Sequence, residues 1–212
     1  MGVSLAGFES LAVVEWNKWA CDTIRENRNR GYQLVQDWPL WEGDVRKFDW
    51  SSLPRDIDLL AGGPPCQPFS MGGKHRAHGD ERDMFPVTVE LVRKLRPKAF
   101  LLENVKGLTR SSFANYYQYI LLQLEFPEVA RRPREHWTDH LRGLQTQKTS
   151  GGLHGAGLTY NAVPTLVNAA DYGVPQKRER VFIVGFRSDL GIEWSFPKAS
   201  HSLDALLYSQ WV

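Results

Sequence analysis

Cys66 is a candidate for covalent chemistry, because its thiol could act as a nucleophile. It follows an apolar stretch, two glycines and a double proline in the segment LLAGGPPCQPFS, positions 59–70. Proline fixes the backbone φ angle and removes the amide donor, while glycine permits close backbone approach. This context, and the glycine-rich basic loop that follows, favour a thiol presented as a nucleophile. A small buried hydrophobic residue is the alternative.

A carboxylate preceded by apolar residues occurs at position 103. Apolar residues fill positions 99–102 in the stretch KAFLLENV, and Glu103 comes directly after them. A carboxyl group at the end of such a strand is expected in a shielded pocket, an environment in which a carboxyl pKa can rise and the group can donate or share a proton. The alternatives are a charge at a helix N-terminus and an ordinary surface carboxylate.

Two guanidinium groups stand two residues apart in QKRER, positions 176–180, before the apolar strand VFIVGF. In extended geometry Arg178 and Arg180 project from one face, and Lys177 and Glu179 from the other. Such a pair could clamp an anion or contact a carbonyl oxygen. A solvated charge run is the commoner interpretation of such a string.

Two further acids are Glu15 in VVEW and Asp44 in WEGDV. Each has an ordinary structural explanation, because acids favour the first turn of a helix and aspartate favours turns. Taken alone, neither identifies a site.

The elements that must position these residues alternate along the chain. Apolar runs of strand type occur at positions 10–16, 56–63, 98–105, 161–173 and 180–187. Helical spacing of apolar residues occurs at positions 17–28, 86–97 and 113–125. This alternation predicts an α/β fold with a mainly parallel sheet covered on both faces. The last two strands are expected to close the sheet around a turn, and 127–159 is interpreted as a partly irregular surface excursion.

Ligands of such sheets gather at the carboxyl ends of the strands. Cys66, Glu103 and Asn104 follow predicted strand ends, and Glu15 lies near another. The sequence therefore predicts a site at one edge of the sheet.

Composition limits the class of protein. The 212 residues are expected to form one domain, 1–212, and the net charge of +2 permits nucleic-acid binding without arguing for it. Two cysteines are too few for a disulfide framework or a zinc cluster, and no metal is expected. No membrane-length apolar run or signal-peptide pattern is found, so a cytoplasmic location is expected.

Three motifs in order give the sequence a family resemblance. GGPPCQPFS, then ENV at 103–105, then DYGVPQKRERVFIVGFR resemble the DNA (cytosine-5) methyltransferases over nearly the whole chain. The resemblance implies a Rossmann-like, S-adenosylmethionine-dependent methyltransferase fold and a restriction-modification or prophage setting. It also implies double-stranded DNA as partner, with the target cytosine flipped out of the duplex.

The resemblance implies roles for the residues around the base. Cys66 would attack C6 of cytosine, and Glu103 would contact the N3 and exocyclic amine edge. Arg178 and Arg180 match the arginine pair of the family, the second of which is expected at the cytosine O2. Further substrate-site residues, two of them expected to support the pocket structurally, are Gln67, Ser70, Asn104 and Gln176.

The resemblance also implies a methyl-donor site without a metal. Glu15 would bind the ribose hydroxyls of S-adenosylmethionine, and Trp16 would pack on its adenine. Asp44 would contact the adenine amino group with Val45 beside it, and Pro64 would line the donor pocket.

The sequence departs from the family pattern at both ends. It starts at MGVSLAGFES, without the first strand and most of the glycine loop, and after HSLDALLYSQWV neither a target-recognition region nor the final motif follows. We therefore expect a partial catalytic domain, a fragment or split subunit, with poor activity unless a second chain supplies these parts. The alternatives are a non-catalytic DNA-binding or regulatory remnant and, more remotely, an RNA-methylating relative. The expected DNA contacts are the basic residues Lys74, Arg76, Arg82, Arg131, Arg132 and Arg134.

Overall fold

The computed structural model describes residues 1–65, 83–151, 157–205 and 207. The chain divides into two compact units, residues 1–55 (unit 1) and residues 56–212 (unit 2). Several of the predicted residues lie outside the described residues: Cys66, Gln67, Ser70, Lys74, Arg76 and Arg82.

Unit 1 is built on a two-stranded parallel sheet. Its elements in order are α1 (Gly2–Leu5), β1 (Val13–Glu15), α2 (Lys18–Asn29) and β2 (Leu40–Glu42). Helix α2 begins where the Asn17 side chain accepts hydrogen bonds from the backbone N–H groups of Trp19 and Ala20, which satisfies two donors that a helix start leaves open. Strand β1 is shorter than the predicted 10–16 run, and three-residue β2 was not predicted.

Unit 2 is built on a four-stranded sheet with strand order β3-β4-β6-β5. Its elements are β3 (Leu59–Gly62), α3 (Phe85–Leu95), β4 (Ala99–Val105), α4 (Ala114–Glu125), α5 (Trp137–Thr149), β5 (Tyr160–Asn168) and β6 (Glu179–Arg187). β3 and β4 are parallel, whereas β6 runs antiparallel to both β4 and β5. The predicted closing pair of strands is thereby confirmed as β5 and β6.

The core of unit 2 lies between one face of this sheet and the helices. Along β4 the residues alternate, so that Phe100, Leu102 and Asn104 are buried while their neighbours are partly exposed. The Phe100 ring lies directly against Gly185 of β6, where a Cβ atom would collide with it. Glycine at this position is therefore a packing requirement.

The predicted α/β class is confirmed, with two parallel and two antiparallel strand pairs among the described residues. The expectation of an irregular excursion over 127–159 is wrong in part, because α5 occupies 13 of these residues. Trp137, Leu141 and Leu144 have the i, i+4, i+7 spacing of a packed helix face, within an otherwise polar stretch. In the described ranges, no helix has both the length and the apolar character needed to span a membrane.

Candidate functional site

Glu103 lies inside β4, not after the end of a strand as predicted. Its partner in the antiparallel register is Phe182 of β6, and β4 continues to Val105. The alternation of β4 places the Glu103 side chain on the opposite face from the buried Leu102 and Asn104. A carboxylate on this face is partly open, with 37% of its side chain exposed.

Arg180 is the ionic partner of Glu103. Its Nε lies 2.8 Å from Glu103 Oε1, and its Nη1 donates to the backbone carbonyl of Glu179 at 2.8 Å. The contact is diagonal across the strand pair, because Arg180 is opposite Val105 and Glu103 is opposite Phe182. The sheet thus brings a carboxylate and a guanidinium together, an acceptor and a set of donors that can contact the edge of a planar base.

The end of β3 approaches the same carboxylate. A Cβ atom built on Gly63 would lie 3.6 Å from Glu103 Oε2. Because Gly63, the first residue of the Gly-Pro-Pro corner, has no side chain, its backbone lies next to the second carboxylate oxygen of Glu103. The corner that leads to Cys66 and the Glu103–Arg180 pair are neighbours in unit 2.

Asn104 holds this corner in place. Its Nδ2 donates to the Pro64 carbonyl at 3.0 Å, and its Oδ1 accepts from the backbone N–H of Val105 at 2.9 Å. The side chain is 5% exposed, so an unmade bond to Pro64 would leave a buried polar group without compensation. Asn104 therefore acts as a support of the Pro-Pro corner, two residues before Cys66.

Asp83, where the described chain resumes, is a buried acid at the start of α3 that the sequence analysis missed. Its buried carboxylate accepts from the backbone N–H of Phe85 at 3.1 Å and from the Tyr116 hydroxyl. The backbone N–H of Met84 also donates to the Pro65 carbonyl at 3.4 Å. An aspartate just before a helix with proline in its first turn was the available signal.

Arg178 lies one residue before β6, so its predicted pairing with Arg180 on one face stays a prediction. It precedes β6, it is exposed, and its backbone N–H donates to Asn168 Oδ1 at 3.0 Å. Gln176 is also exposed, and its side chain makes no hydrogen bond to any residue that the structure describes. The structure brings Glu103 and Arg180 together and leaves these two residues outside that contact.

In unit 1 the predicted donor-site acids lie at the carboxyl ends of β1 and β2. Glu15 ends β1 opposite Glu42, and the backbone N–H of Gly43 donates to the Glu15 carbonyl at 2.8 Å. Glu15 Oε1 accepts from the backbone N–H of Asn17 at 2.7 Å. Trp16, next to Glu15, is 68% exposed. An acid beside an open aromatic ring at parallel strand ends suits a nucleoside.

Asp44 begins the turn after β2 and is held by Arg46. The Arg46 side chain and backbone N–H both donate to the Asp44 carboxylate, and these hydrogen bonds lower the pKa of Asp44 to about 2. Val45 follows, and its carbonyl accepts from the Trp50 indole N–H at 3.0 Å. Asp44 is therefore a charged acceptor on a fixed turn. The family resemblance assigns these residues to a ribose and an adenine amino group, and that assignment stays a prediction.

Over the described ranges, no group of three or more His, Cys, Asp or Glu side chains is arranged to hold a metal ion.

Comparison with known sequences places these residues in context. The sequence profile described as C-5 cytosine-specific DNA methylase matches residues 1–127 and 138–207. Type II methyltransferase M.NgoMIV of Neisseria gonorrhoeae is 36% identical over 198 residues, which are 93% of this chain and 51% of the relative. Type II methyltransferase M.AquIA of Picosynechococcus sp. is 34% identical over 209 residues, 95% of this chain and 71% of the relative. The chain thus spans about half the length of M.NgoMIV.

Solved structures agree with the predicted methyltransferase fold. A prophage-encoded protein of E. coli described as a DNA modification methyltransferase superposes with a TM-score of 0.57 at 25% identity, over 92% of this chain and 44% of that one. DNMT2 of Spodoptera frugiperda superposes with a TM-score of 0.52 at 20% identity, over 93% of this chain and 48% of that one, and supports the fold alone.

Proposed function

The chain belongs to the C-5 cytosine-specific DNA methylase family, and from this premise we propose that it is a catalytic part of a DNA (cytosine-5) methyltransferase. The proposed reaction adds a methyl group to C5 of cytosine in DNA. The observation that carries the proposal is the Glu103–Arg180 ion pair at 2.8 Å, beside the corner that Asn104 fixes ahead of Cys66. The curated relatives carry methyltransferase names, which agrees with this reaction.

The chemistry needs a nucleophile because C5 of cytosine is unreactive until C6 has been attacked. We assign the attack to the Cys66 thiolate, which forms a sulfur–carbon bond to C6 and makes C5 electron-rich. Cys66 lies outside the described residues, so its role rests on the motif GGPPCQPFS. After methylation a water molecule takes the C5 proton, the electrons of the C5–H bond restore the C5–C6 double bond, and the sulfur–carbon bond breaks to release the thiolate.

Glu103 and Arg180 would stabilise the base as charge develops on it. Glu103 would contact the N3 and exocyclic amine edge of the base, and the Arg180 guanidinium would donate to O2. Their contact across β4 and β6 presets both side chains before the base arrives, so little reorganisation is needed. Arg178 precedes the strand, and its proposed contribution is at the rim of the site.

S-Adenosylmethionine, when bound, supplies the methyl group. Glu15 would accept from its ribose hydroxyls through the carboxylate oxygen that Asn17 leaves open. Trp16 would pack on the adenine ring, and Asp44 would accept from the amino group beside Val45. Pro64 would line the methyl-donor pocket. Gln67, Ser70 and Gln176 are proposed contacts on the substrate side.

Double-stranded DNA is the proposed partner. Because C6 cannot be reached inside a stacked duplex, the target cytosine must leave the helix. Arg131, Arg132 and Arg134 are exposed and would contact phosphates. Target recognition is proposed to come from sequence beyond this chain or from a second chain, since the chain covers 51% of M.NgoMIV.

A covalent trap tests the proposed function. Duplex DNA containing 5-fluorocytosine should form an adduct that survives denaturation, because fluorine at C5 cannot leave as a proton does. The experiment uses the chain with S-adenosylmethionine, alone and coexpressed with the flanking reading frames. Cys66→Ala should abolish the adduct, and Glu103→Gln and Arg180→Ala should slow its formation roughly 100-fold or more.

The two cysteines of the chain allow a matched control. Cys21→Ala removes the buried cysteine of α2 and should leave the adduct intact. An adduct that persists in Cys66→Ala contradicts the assigned nucleophile. No adduct in any preparation, with DNA still bound, would favour the non-catalytic remnant instead.

A further inference from the structure

Arg46 folds back onto Asp44 as a two-pronged donor. Its Nε lies 2.9 Å from both Oδ1 and Oδ2 of Asp44, and its Nη2 lies 2.6 Å from Oδ2. The backbone N–H of Arg46 donates to Oδ1 at 3.0 Å. Side chain and main chain of one residue therefore grip the same carboxylate, which fixes its plane relative to the end of β2.

This grip leaves room for another donor. An ionised carboxylate has roughly four acceptor positions, two on each oxygen. Oδ1 accepts from the backbone N–H and from Nε, whereas Oδ2 accepts from Nη2 and only shares Nε. The contacts within the described chain thus leave one acceptor position on Oδ2. Asp44 is 14% exposed and Arg46 is 47% exposed, so the guanidinium lies on the solvent side of the pair.

We propose that Arg46 is a positioning residue of the methyl-donor site, which holds the Asp44 carboxylate in the plane where Oδ2 accepts the adenine amino group. This inference rests on the proposed function, because it assumes that Asp44 contacts S-adenosylmethionine. In this role Arg46 acts through Asp44 and need not touch the donor. Without the guanidinium, the carboxylate keeps only the backbone N–H bond to Oδ1 and is less ordered, so part of the binding energy is lost to ordering it.

The charge of the Asp44–Arg46 pair makes the expected binding of the donor dependent on pH. Hydrogen bonds from Arg46, and to a smaller extent the nearby Lys47 charge, lower the pKa of Asp44 to about 2. The carboxylate therefore stays ionised as pH falls through 5 and 4. When the Arg46 side chain is removed, the backbone N–H bond to Oδ1 remains, so the pKa of Asp44 should rise part of the way towards the ordinary value of about 3.9, and protonation would then begin to remove the acceptor.

Calorimetric titration of the whole chain with S-adenosylmethionine tests this. Arg46→Ala should weaken binding about tenfold at pH 7, as the loss of a charge-assisted two-pronged contact would. The loss should grow as pH falls from 5 to 4, relative to the unsubstituted chain. Arg46→Lys keeps the charge without the planar fork, so it should bind with intermediate affinity. Arg30→Ala, which breaks an exposed pair with Glu26, is the matched control and should bind normally.

A double substitution separates positioning from general damage. If Arg46 acts through Asp44, adding Arg46→Ala to Asp44→Asn should weaken binding no further. Unchanged affinity and pH profile in Arg46→Ala would overturn the inference while leaving the donor site intact. Full additivity in the double variant would also overturn it. Failure of the unsubstituted chain to bind S-adenosylmethionine, both alone and coexpressed with the flanking reading frames, would overturn the proposed donor site itself. Circular dichroism of each variant checks that unit 1 remains folded.

Discussion

Units 1 and 2 position their candidate residues by different means. In unit 2, Glu103 and Arg180 lie on two strands joined by seven register pairs, with buried Phe100 and Leu102 on the other face of β4. In unit 1, the candidate residues lie at the ends of three-residue strands and on the turns after them. Cys21 and Val35 are the hydrophobic side chains of residues 1–55 that are fully buried.

This difference decides what a substitution does in each region. Many contacts fix the geometry of a site on a packed sheet. Removing one functional group there should therefore reduce the reaction rate more than it alters the structure of the site. A site on turns has its geometry from a few hydrogen bonds, such as those of Asn17 and Arg46. Substituting a residue that makes such a hydrogen bond should lower stability only locally and should weaken ligand binding directly.

The largest expected effect comes from the core of unit 2. Phe100→Ala removes a ring that packs against Tyr160, with centroids 5.2 Å apart, and lies directly over Gly185. The cavity should cost about 3–5 kcal/mol of unfolding free energy. Urea denaturation followed by circular dichroism measures it. Phe8→Ala, at an exposed phenylalanine of unit 1, is the control and should change stability by less than about 0.5 kcal/mol. Similar losses in the two variants would contradict the contrast between the units.

The sequence predicts most of unit 2 because its signals are local and long. The apolar run in AFLLENV predicts a strand, and the spacing of apolar residues along Phe85–Leu95 predicts a helix. The Glu103–Arg180 contact could not be predicted in the same way, since it depends on which residues of β4 and β6 face each other. The same-face prediction for Arg178 stays a prediction, because β6 begins one residue after it.

Unit 1 was harder to predict for the same physical reason. A strand of three residues, such as β2, is too short to show a period of two. Glu15 and Asp44 were found through the family resemblance, whereas their supports were not. Asn17 and Arg46 act through backbone and side-chain hydrogen bonds over two or three residues, and such contacts have no apolar pattern.

A second, smaller effect should follow the loss of the Asn104 amide. Asn104→Ala leaves the Pro64 carbonyl without its 3.0 Å donor, which should cost about 1–3 kcal/mol of unfolding free energy. Because the corner before Cys66 is then less ordered, adduct formation with 5-fluorocytosine DNA should fall by more than this loss of folded protein explains. Asn161→Ala, at an exposed position of β5, is the control. Normal trapping in folded Asn104→Ala protein would show that the corner needs no such support.

The smallest expected effect comes from a substitution in unit 1, which tests whether the two units differ in local stability. Asn17→Ala removes the side-chain acceptor for the N–H groups of Trp19 and Ala20, which should cost about 1 kcal/mol of helix stability. Since few side chains of unit 1 are buried, the loss should appear as local opening. Hydrogen exchange measured by mass spectrometry should be about fivefold faster in peptides of α2 and unchanged in peptides of β4. Equal acceleration in both peptides would mean that α2 opens only when the unit 2 sheet does. In that case the two units would share one cooperative transition, and the turn-borne donor site would be as strongly held as the strand-borne Glu103–Arg180 pair.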